Sequence, residues 1–96
     1  MVTHIVMFKL TEKNAGNIQK AVDALNGMRG KIETLKFLEV GVDFSDSERS
    51  HDIVLTTHFE DRKGLQTYAD HPNHIPVKNL LMSLCSSSIV VDYEGP

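Results

Sequence analysis

Residues 2–10 read Val-Thr-His-Ile-Val-Met-Phe-Lys-Leu, and this stretch contains the pattern that decides the fold. It is rich in β-branched and large apolar side chains and has no turn former, so it predicts a β-strand. Successive side chains of a strand point to opposite faces, which puts Val6 and Phe8 on one face and Ile5 and Met7 on the other. Both faces of this strand therefore need to be buried.

Three further strands are predicted along the chain, over residues 34–44, 51–59 and 89–93. The last two contain Ile-Val-Leu at 53–55 and Ile-Val-Val at 89–91, which are again apolar on both faces. Gly41 lies inside the second strand and indicates either a bulge or a close approach of the backbone.

Helices are predicted between the strands. Residues 14–29 have apolar side chains at intervals of three and four, the stripe of a helix that lies on a sheet. A second helix is predicted over 61–71, with Asp61 as its cap and Pro72 as its end. A short helical stripe follows it, formed by Val77, Leu80, Leu81 and Leu84.

The order strand, helix, strand, strand, helix, strand is that of a ferredoxin-like βαββαβ subunit of the α+β class. Such a subunit has one four-stranded antiparallel sheet with its helices on one face. Some strands are apolar on both faces, so the uncovered face of the sheet would expose apolar side chains. A second copy of the same sheet would cover them. We therefore expect a homodimer that forms a dimeric α/β barrel, and a monomer that is not stable by itself.

The composition limits the class of protein. The 96 residues predict one domain, 1–96, with a net charge of −3 and basic residues scattered singly, which argues against nucleic acid as a partner. No stretch approaches the ~20 apolar residues of a membrane span, and the N-terminus lacks the features of a signal peptide. The single cysteine, Cys85, excludes an internal disulfide and favours a reducing cytoplasm.

Most of the polar chemistry lies in residues 68–74, Tyr-Ala-Asp-His-Pro-Asn-His. If Tyr68 points inward and the chain turns at Pro72, His74 can return over the same cavity as the phenol. A neutral imidazole can take a proton from an acidic carbon while the phenol donates to the developing enolate oxygen. The alternative interpretation makes Tyr68 an ordinary core residue and His71 a cap at the surface end of the helix.

Other residues are candidates for the wall of a ligand site. His4 shares its strand face with Val6 and Phe8, and it is either a polar group of the pocket or a core histidine with a satisfied hydrogen bond. Leu55 and His71 complete the predicted ligand-binding set. A three-histidine metal site of His4, His71 and His74 is conceivable, but nothing sets a tetrahedral spacing, so we predict neither a metal nor a cofactor.

Short segments in a fixed order give the sequence a resemblance to a known family over nearly its whole length. The segments are residues 4–10, 39–41, 48–50, 59–61, 68, 71–74 and 90–93. On these, the chain resembles the stress-responsive α/β barrel domain proteins. The resemblance implies a ferredoxin-like subunit and a homodimer.

The resemblance implies less about activity. One plant member of the family, olivetolic acid cyclase, closes a polyketide chain without a cofactor, and its tyrosine and histidine pair is similar to Tyr68 and His74. A pocket histidine near its N-terminus corresponds to His4. Its other pocket histidine aligns with Ile53 and is absent here, so the polyketide substrate is not carried over.

Three functions follow as hypotheses. The first is a homodimer that binds a small organic molecule near Tyr68 and His74. The second is a cofactor-free aldol-type cyclase, isomerase or decarboxylase with His74 as base and Tyr68 as acid. The third is a structural, stress-protective dimer without catalysis.

Overall fold

The computed structural model describes residues 1–96, which form one antiparallel sheet covered by helices. Its elements in chain order are β1 (Val2–Leu10), α1 (Ala15–Asn26), β2 (Phe37–Val42), β3 (Ile53–Phe59), α2 (Arg62–Ala69), α3 (Ile75–Leu84) and β4 (Cys85–Glu94). The four strands are ordered β2-β3-β1-β4. This arrangement confirms the predicted ferredoxin-like α+β fold.

The predicted helix over 14–29 exists but is shorter. The Asn14 side chain accepts a hydrogen bond from the backbone N–H of Asn17 at 2.8 Å and caps α1. Ala21 and Leu25 are buried. Gly30 follows with a φ of 78°, a left-handed conformation that favours glycine.

The second connection between strands contains two helices, whereas the βαββαβ order counts one. The helical stripe predicted from Val77 to Leu84 is confirmed as part of α3. Asp61 caps α2 through the N–H of Gly64 at 2.8 Å, as expected. The helix ends at Ala69, before the proline at position 72 that cannot continue it. The chain turns and re-enters a helix with Pro76 in the first turn of α3, where a proline is well tolerated.

The strand β4 begins at Cys85, so the prediction that it begins at residue 89 was wrong. Serines have a weak preference for strands, but β1 offers a pairing edge along the whole segment. Ser87 pairs with Lys9 and Ser88 with Phe8, with an irregularity in the register between Lys9 and Leu10.

The strands β2 and β3 are also shorter than the predicted ranges of 34–44 and 51–59. Gly41 pairs directly with Val54 in an unbroken register, so it marks no bulge. A Cβ atom at position 41 would lie 3.0 Å from Cγ1 of Val54. The glycine is therefore explained by close packing, the other prediction made for it.

The two faces of the sheet differ sharply. On the helix side, the buried core includes Val2, Phe8, Ile53, Leu55 and Phe59. The register places the alternate side chains on the opposite face, which we call the open face. Five large apolar side chains there are 41–60% exposed: Met7, Phe37, Ile89, Val91 and Tyr93.

None of the three helices combines the length and the apolar character that crossing a membrane requires.

Candidate functional site

A cavity of about 570 Å³ lies between the helices and the helix side of the sheet. Of the 19 residues that line it, 13 are hydrophobic, so its wall is mainly apolar. The predicted residues His4, Val6, Phe8 and Leu55 lie on its wall. The helices supply Leu25, Leu65, Val77 and Leu81, and the turn after α1 supplies Met28; the sequence analysis had not assigned these residues to a site.

Tyr68 lies on α2 at the inner end of this cavity and is only 2% exposed. Its ring packs 5.0 Å from the ring of Phe59, measured between centroids. Burial raises the pKa of the Tyr68 phenol to about 12, so the hydroxyl is a neutral donor at physiological pH. The Tyr68 hydroxyl makes no hydrogen bond within the chain. Its oxygen keeps some surface accessible to water, so it faces the open space of the cavity.

His74 lies at the start of α3, and its ring centroid is 4.3 Å from that of Tyr68. Its Nδ1 lies 3.0 Å from the carbonyl oxygen of Ala69, which can only accept. Nδ1–H therefore donates this bond, and in the neutral ring Nε2 is left with a free lone pair. Burial lowers the pKa of His74, the hydrogen bond to the Ala69 carbonyl offsets part of this, and the charge of Lys78 lowers the pKa further, so the ring is neutral near pH 7.

His4 contacts both the cavity and the neighbouring edge strand. Its Nδ1 is hydrogen-bonded to Oδ1 of Asp92, its partner in the register of β1 and β4. The ring stands edge-on to Tyr68 at 6.0 Å. His4 thus satisfies both predictions made for it, because it is a hydrogen-bonded histidine and also lines the pocket.

Asp92 was missed by the sequence analysis, which found no carboxylate placed to orient a histidine. The two residues are 88 positions apart, and only the antiparallel pairing of the first and last strands brings them together. The signal that could have found Asp92 is this register, since a pairing of Val6 with Val90 places residue 92 opposite residue 4.

His71 does not line the cavity, unlike the other predicted ligand-binding residues. Its Nδ1 accepts a hydrogen bond from the N–H of Asn73 at 3.0 Å, and its Nε2 lies 3.4 Å from Oε2 of Glu33. The turn between α2 and α3 directs this ring to the segment before β2. His4, His71 and His74 accordingly do not form a three-ligand group.

The cavity opens to solvent between α3 and β4. Met82 and Val90 on this side are 66% and 55% exposed. Lys78 also lines the cavity, one helical turn after His74 and on the same side of α3. The site thus has an apolar wall, a phenol and an imidazole in contact at its inner end, and a cation beside them.

Comparisons with known proteins agree with this architecture. Residues 2–95 match the sequence model of the stress responsive A/B barrel domain. A protein of Streptomyces coelicolor described as uncharacterised is 28% identical over 97 residues, which is 98% of this chain and 99% of its own.

Solved structures show the same fold. A dimeric protein of unknown function and ferredoxin-like fold from Bacteroides fragilis matches with a TM-score of 0.84 and 28% identity, over 98% of this chain and 95% of its own. A hydroxynitrile lyase from Passiflora edulis matches with a TM-score of 0.83 over 96% of this chain and 90% of its own. Its identity is 14%, so this likeness concerns the fold alone.

Proposed function

We propose that this protein, which belongs to the stress-responsive A/B barrel domain family, is a homodimer that binds a small organic molecule in the cavity beside Tyr68 and His74. The observation that carries the proposal is the cavity itself. Its volume of about 570 Å³ lies within the range of small-molecule sites, ~300–1,000 Å³. Its wall has the usual composition of such sites, mostly apolar with a few convergent polar groups.

The open face of the sheet supports the homodimer. Five large apolar side chains are exposed there, on all the strands except β3. A second copy of the sheet would remove them from water, with a gain of roughly 25 cal/mol for each Å² of apolar area. The related protein from Bacteroides fragilis is described as dimeric, which agrees with this arrangement.

The composition supports a cytoplasmic protein whose partners are neither nucleic acid nor membrane. Cys85 is free, and burial raises the pKa of its thiol, so it stays protonated near pH 7, which suits a reducing compartment. The net charge of −3 gives no electrostatic basis for binding phosphate backbones.

Binding can be tested with 1-octanol, a neutral apolar probe, by isothermal titration calorimetry. Ser88 lies on the exposed edge strand and lines the cavity, so Ser88→Trp should fill the opening without disturbing the core. We expect this variant to bind octanol at least tenfold more weakly than the wild type. Ser83→Trp, exposed on α3 and outside the cavity, is the matched control and should bind normally.

Equal binding by both tryptophan variants would contradict a ligand site in this cavity. Native mass spectrometry of the untreated protein adds an independent measurement, because one spectrum reports the number of subunits and any retained small molecule. A monomer in that spectrum would contradict the homodimer.

A second candidate function is cofactor-free proton transfer, favoured by the contact of the Tyr68 and His74 rings. The free lone pair on Nε2 of His74 would take a proton from carbon next to a carbonyl group. The electron pair of that C–H bond would move onto the carbonyl oxygen, and the Tyr68 hydroxyl would donate a hydrogen bond to the enolate. Such a step serves an aldol-type cyclase or an isomerase. In a decarboxylase the enolate would form instead by loss of CO₂ from a β-keto acid, with the same hydrogen bond from the Tyr68 hydroxyl, and the imidazolium of His74 would return a proton to carbon.

This second function is tested by exchange of the α-protons of 1-indanone, an apolar ketone, in D₂O followed by NMR. The wild-type protein should exchange these protons faster than buffer alone does. In His74→Ala the rate of protein-catalysed exchange should be at least ~10²-fold lower than in the wild type. Tyr68→Phe should also slow the exchange while the protein remains folded. No exchange above buffer would overturn the proton-transfer function and leave the binding function intact.

A further inference from the structure

The ionisable groups of the cavity are unbalanced in charge. Its lining contains one cation, Lys78, with the imidazoles of His4 and His74, the phenol of Tyr68 and the thiol of Cys85. No aspartate or glutamate lines it, although acidic residues outnumber basic ones by 13 to 10 in the whole chain. The cavity is therefore a cationic, apolar site in a protein of negative net charge.

Lys78 has no counterion within the chain. None of the five ion pairs in the structure includes it. Asp92, a carboxylate on β4, is hydrogen-bonded to His4. Electrostatic repulsion from Lys78 and His4 also contributes to the lowered pKa of His74.

We infer that the ligand of this cavity is an apolar organic acid whose carboxylate lies beside Lys78 and whose hydrocarbon part lies against the inner wall. This inference rests on the proposed binding function and names the class of its ligand. Lys78 is exposed at the rim, so its ammonium group can meet a charged head group that stays partly in water. Leu25, Met28 and Leu55 provide the apolar surface for the rest of the molecule.

The alternative head groups fit less well. A cationic head group would lie beside Lys78 with no carboxylate on the cavity wall to neutralise it. A neutral alcohol would gain only an ordinary hydrogen bond, whereas a carboxylate gains a charge-assisted one from the ammonium group. The cavity should therefore rank molecules of the same hydrocarbon chain as acid, then alcohol, then amine.

Calorimetry with octanoate, 1-octanol and octylammonium tests this ranking, because the three probes share one hydrocarbon chain. We expect octanoate to bind the wild type roughly two- to fivefold more tightly than octanol, the range for a partly exposed ion pair. Lys78→Met keeps the apolar stem of the side chain and should bring the two affinities together. Lys20→Met, on the exposed side of α1 and away from the cavity, is the matched control and should keep the preference.

The outcomes separate this inference from the proposed function. Equal affinity of the wild type for octanoate and octanol, or tighter binding of octylammonium, would overturn the acid class and leave ligand binding in place. A preference for octanoate that survives in Lys78→Met would overturn the role of Lys78. Failure of all three probes to bind would overturn the proposed binding function, and the inference with it.

Discussion

Tyr68 combines a fully packed ring with a hydroxyl that has no partner in the chain. The ring lies against Phe59 and His74, and the residue is 2% exposed. Removing the hydroxyl costs no hydrogen bond within the protein, whereas removing the ring creates a cavity. The two substitutions therefore separate packing from polar function.

We predict that Tyr68→Phe changes the free energy of unfolding by less than about 0.5 kcal/mol, while Tyr68→Ala lowers it by about 3–5 kcal/mol. Urea unfolding followed by circular dichroism measures both. A large loss of stability in Tyr68→Phe would show that the hydroxyl is a structural group, and the interpretation of it as a free donor facing the cavity would fail.

His74 should make the stability of the fold depend on pH. Burial holds its pKa below the ordinary value of 6.5, so the unfolded chain takes up the proton first as the pH falls. The stability associated with the neutral ring is present above about pH 6.5 and is lost below it. Acidification should thus favour unfolding through this residue.

His74→Asn can still donate to the carbonyl of Ala69 through its amide, but it does not titrate. We expect the urea midpoint of the wild type to fall more between pH 7.5 and pH 5.5 than that of the variant. All other ionisable groups are the same in the two proteins, so the difference between them isolates His74. Identical falls would mean that the ring is protonated as easily in the folded protein as in water.

At the residue scale, sequence reasoning succeeds where the contact is local. The six-residue spacing of Tyr68 and His74 with Pro72 between them supported the hypothesis that the two rings approach each other, because the proline forces a turn. Asp92 could not be found in this way, since its contact with His4 depends on strand register. His71 was assigned to the site by spacing, which does not fix the direction of a side chain in a turn.

The helix α2 positions Tyr68, and its first turn depends on one side chain. Asp61 accepts a hydrogen bond from the N–H of Gly64 and places a negative charge at the positive end of the helix. We predict that Asp61→Ala lowers the free energy of unfolding by about 0.5–2 kcal/mol. Asp61→Asn, which keeps the cap and loses the charge, should cost less than half as much in the same thermal or urea experiment.

The same pair of variants can contradict the explanation. If Asp61→Asn were as destabilising as Asp61→Ala, the charge and not the hydrogen bond would be the stabilising feature. If neither variant changed the stability, α2 would be held by its packing alone, through Tyr68 and its neighbours.

At the element scale, strong periodicity predicted the type and order of every strand and helix. The boundaries were less accurate where a tertiary contact overrides local preference. The serines at 86–88 favour a loop by composition, yet Ser87 and Ser88 pair with β1 because that strand offers a pairing edge beside them. The number of helices is the other case, because the stripe predicted at residues 77–84 forms a helix of its own, α3, where the βαββαβ order counts one helix in this connection.

The whole molecule has one covered and one uncovered sheet face. The helix face buries a continuous core, and the open face leaves Met7, Ile89 and Val91 in water. A chain of 96 residues buries a modest fraction of its unfolded surface, so covering the open face should contribute much of the total stability. Folding and association are then expected to be coupled.

Val91 is the position at which this coupling can be tested most directly. It is 60% exposed on the open face of the edge strand and pairs with Ile5 of β1. A carboxylate there would have to be desolvated on association, which costs several kcal/mol without a partner. We predict that Val91→Asp sediments as a monomer, or unfolds, at concentrations where the wild type is a dimer.

Ile75→Asp is the matched control, because Ile75 is 44% exposed on the helix layer and an aspartate is well tolerated in a first helical turn. This variant should remain a dimer in the same sedimentation experiment.

Since a destabilised Val91→Asp protein could lose its fold, the wild type supplies a second measurement. Its Tm should rise with protein concentration, because dissociation accompanies unfolding. A Tm independent of concentration, with Val91→Asp still dimeric, would show that the open face is not the interface.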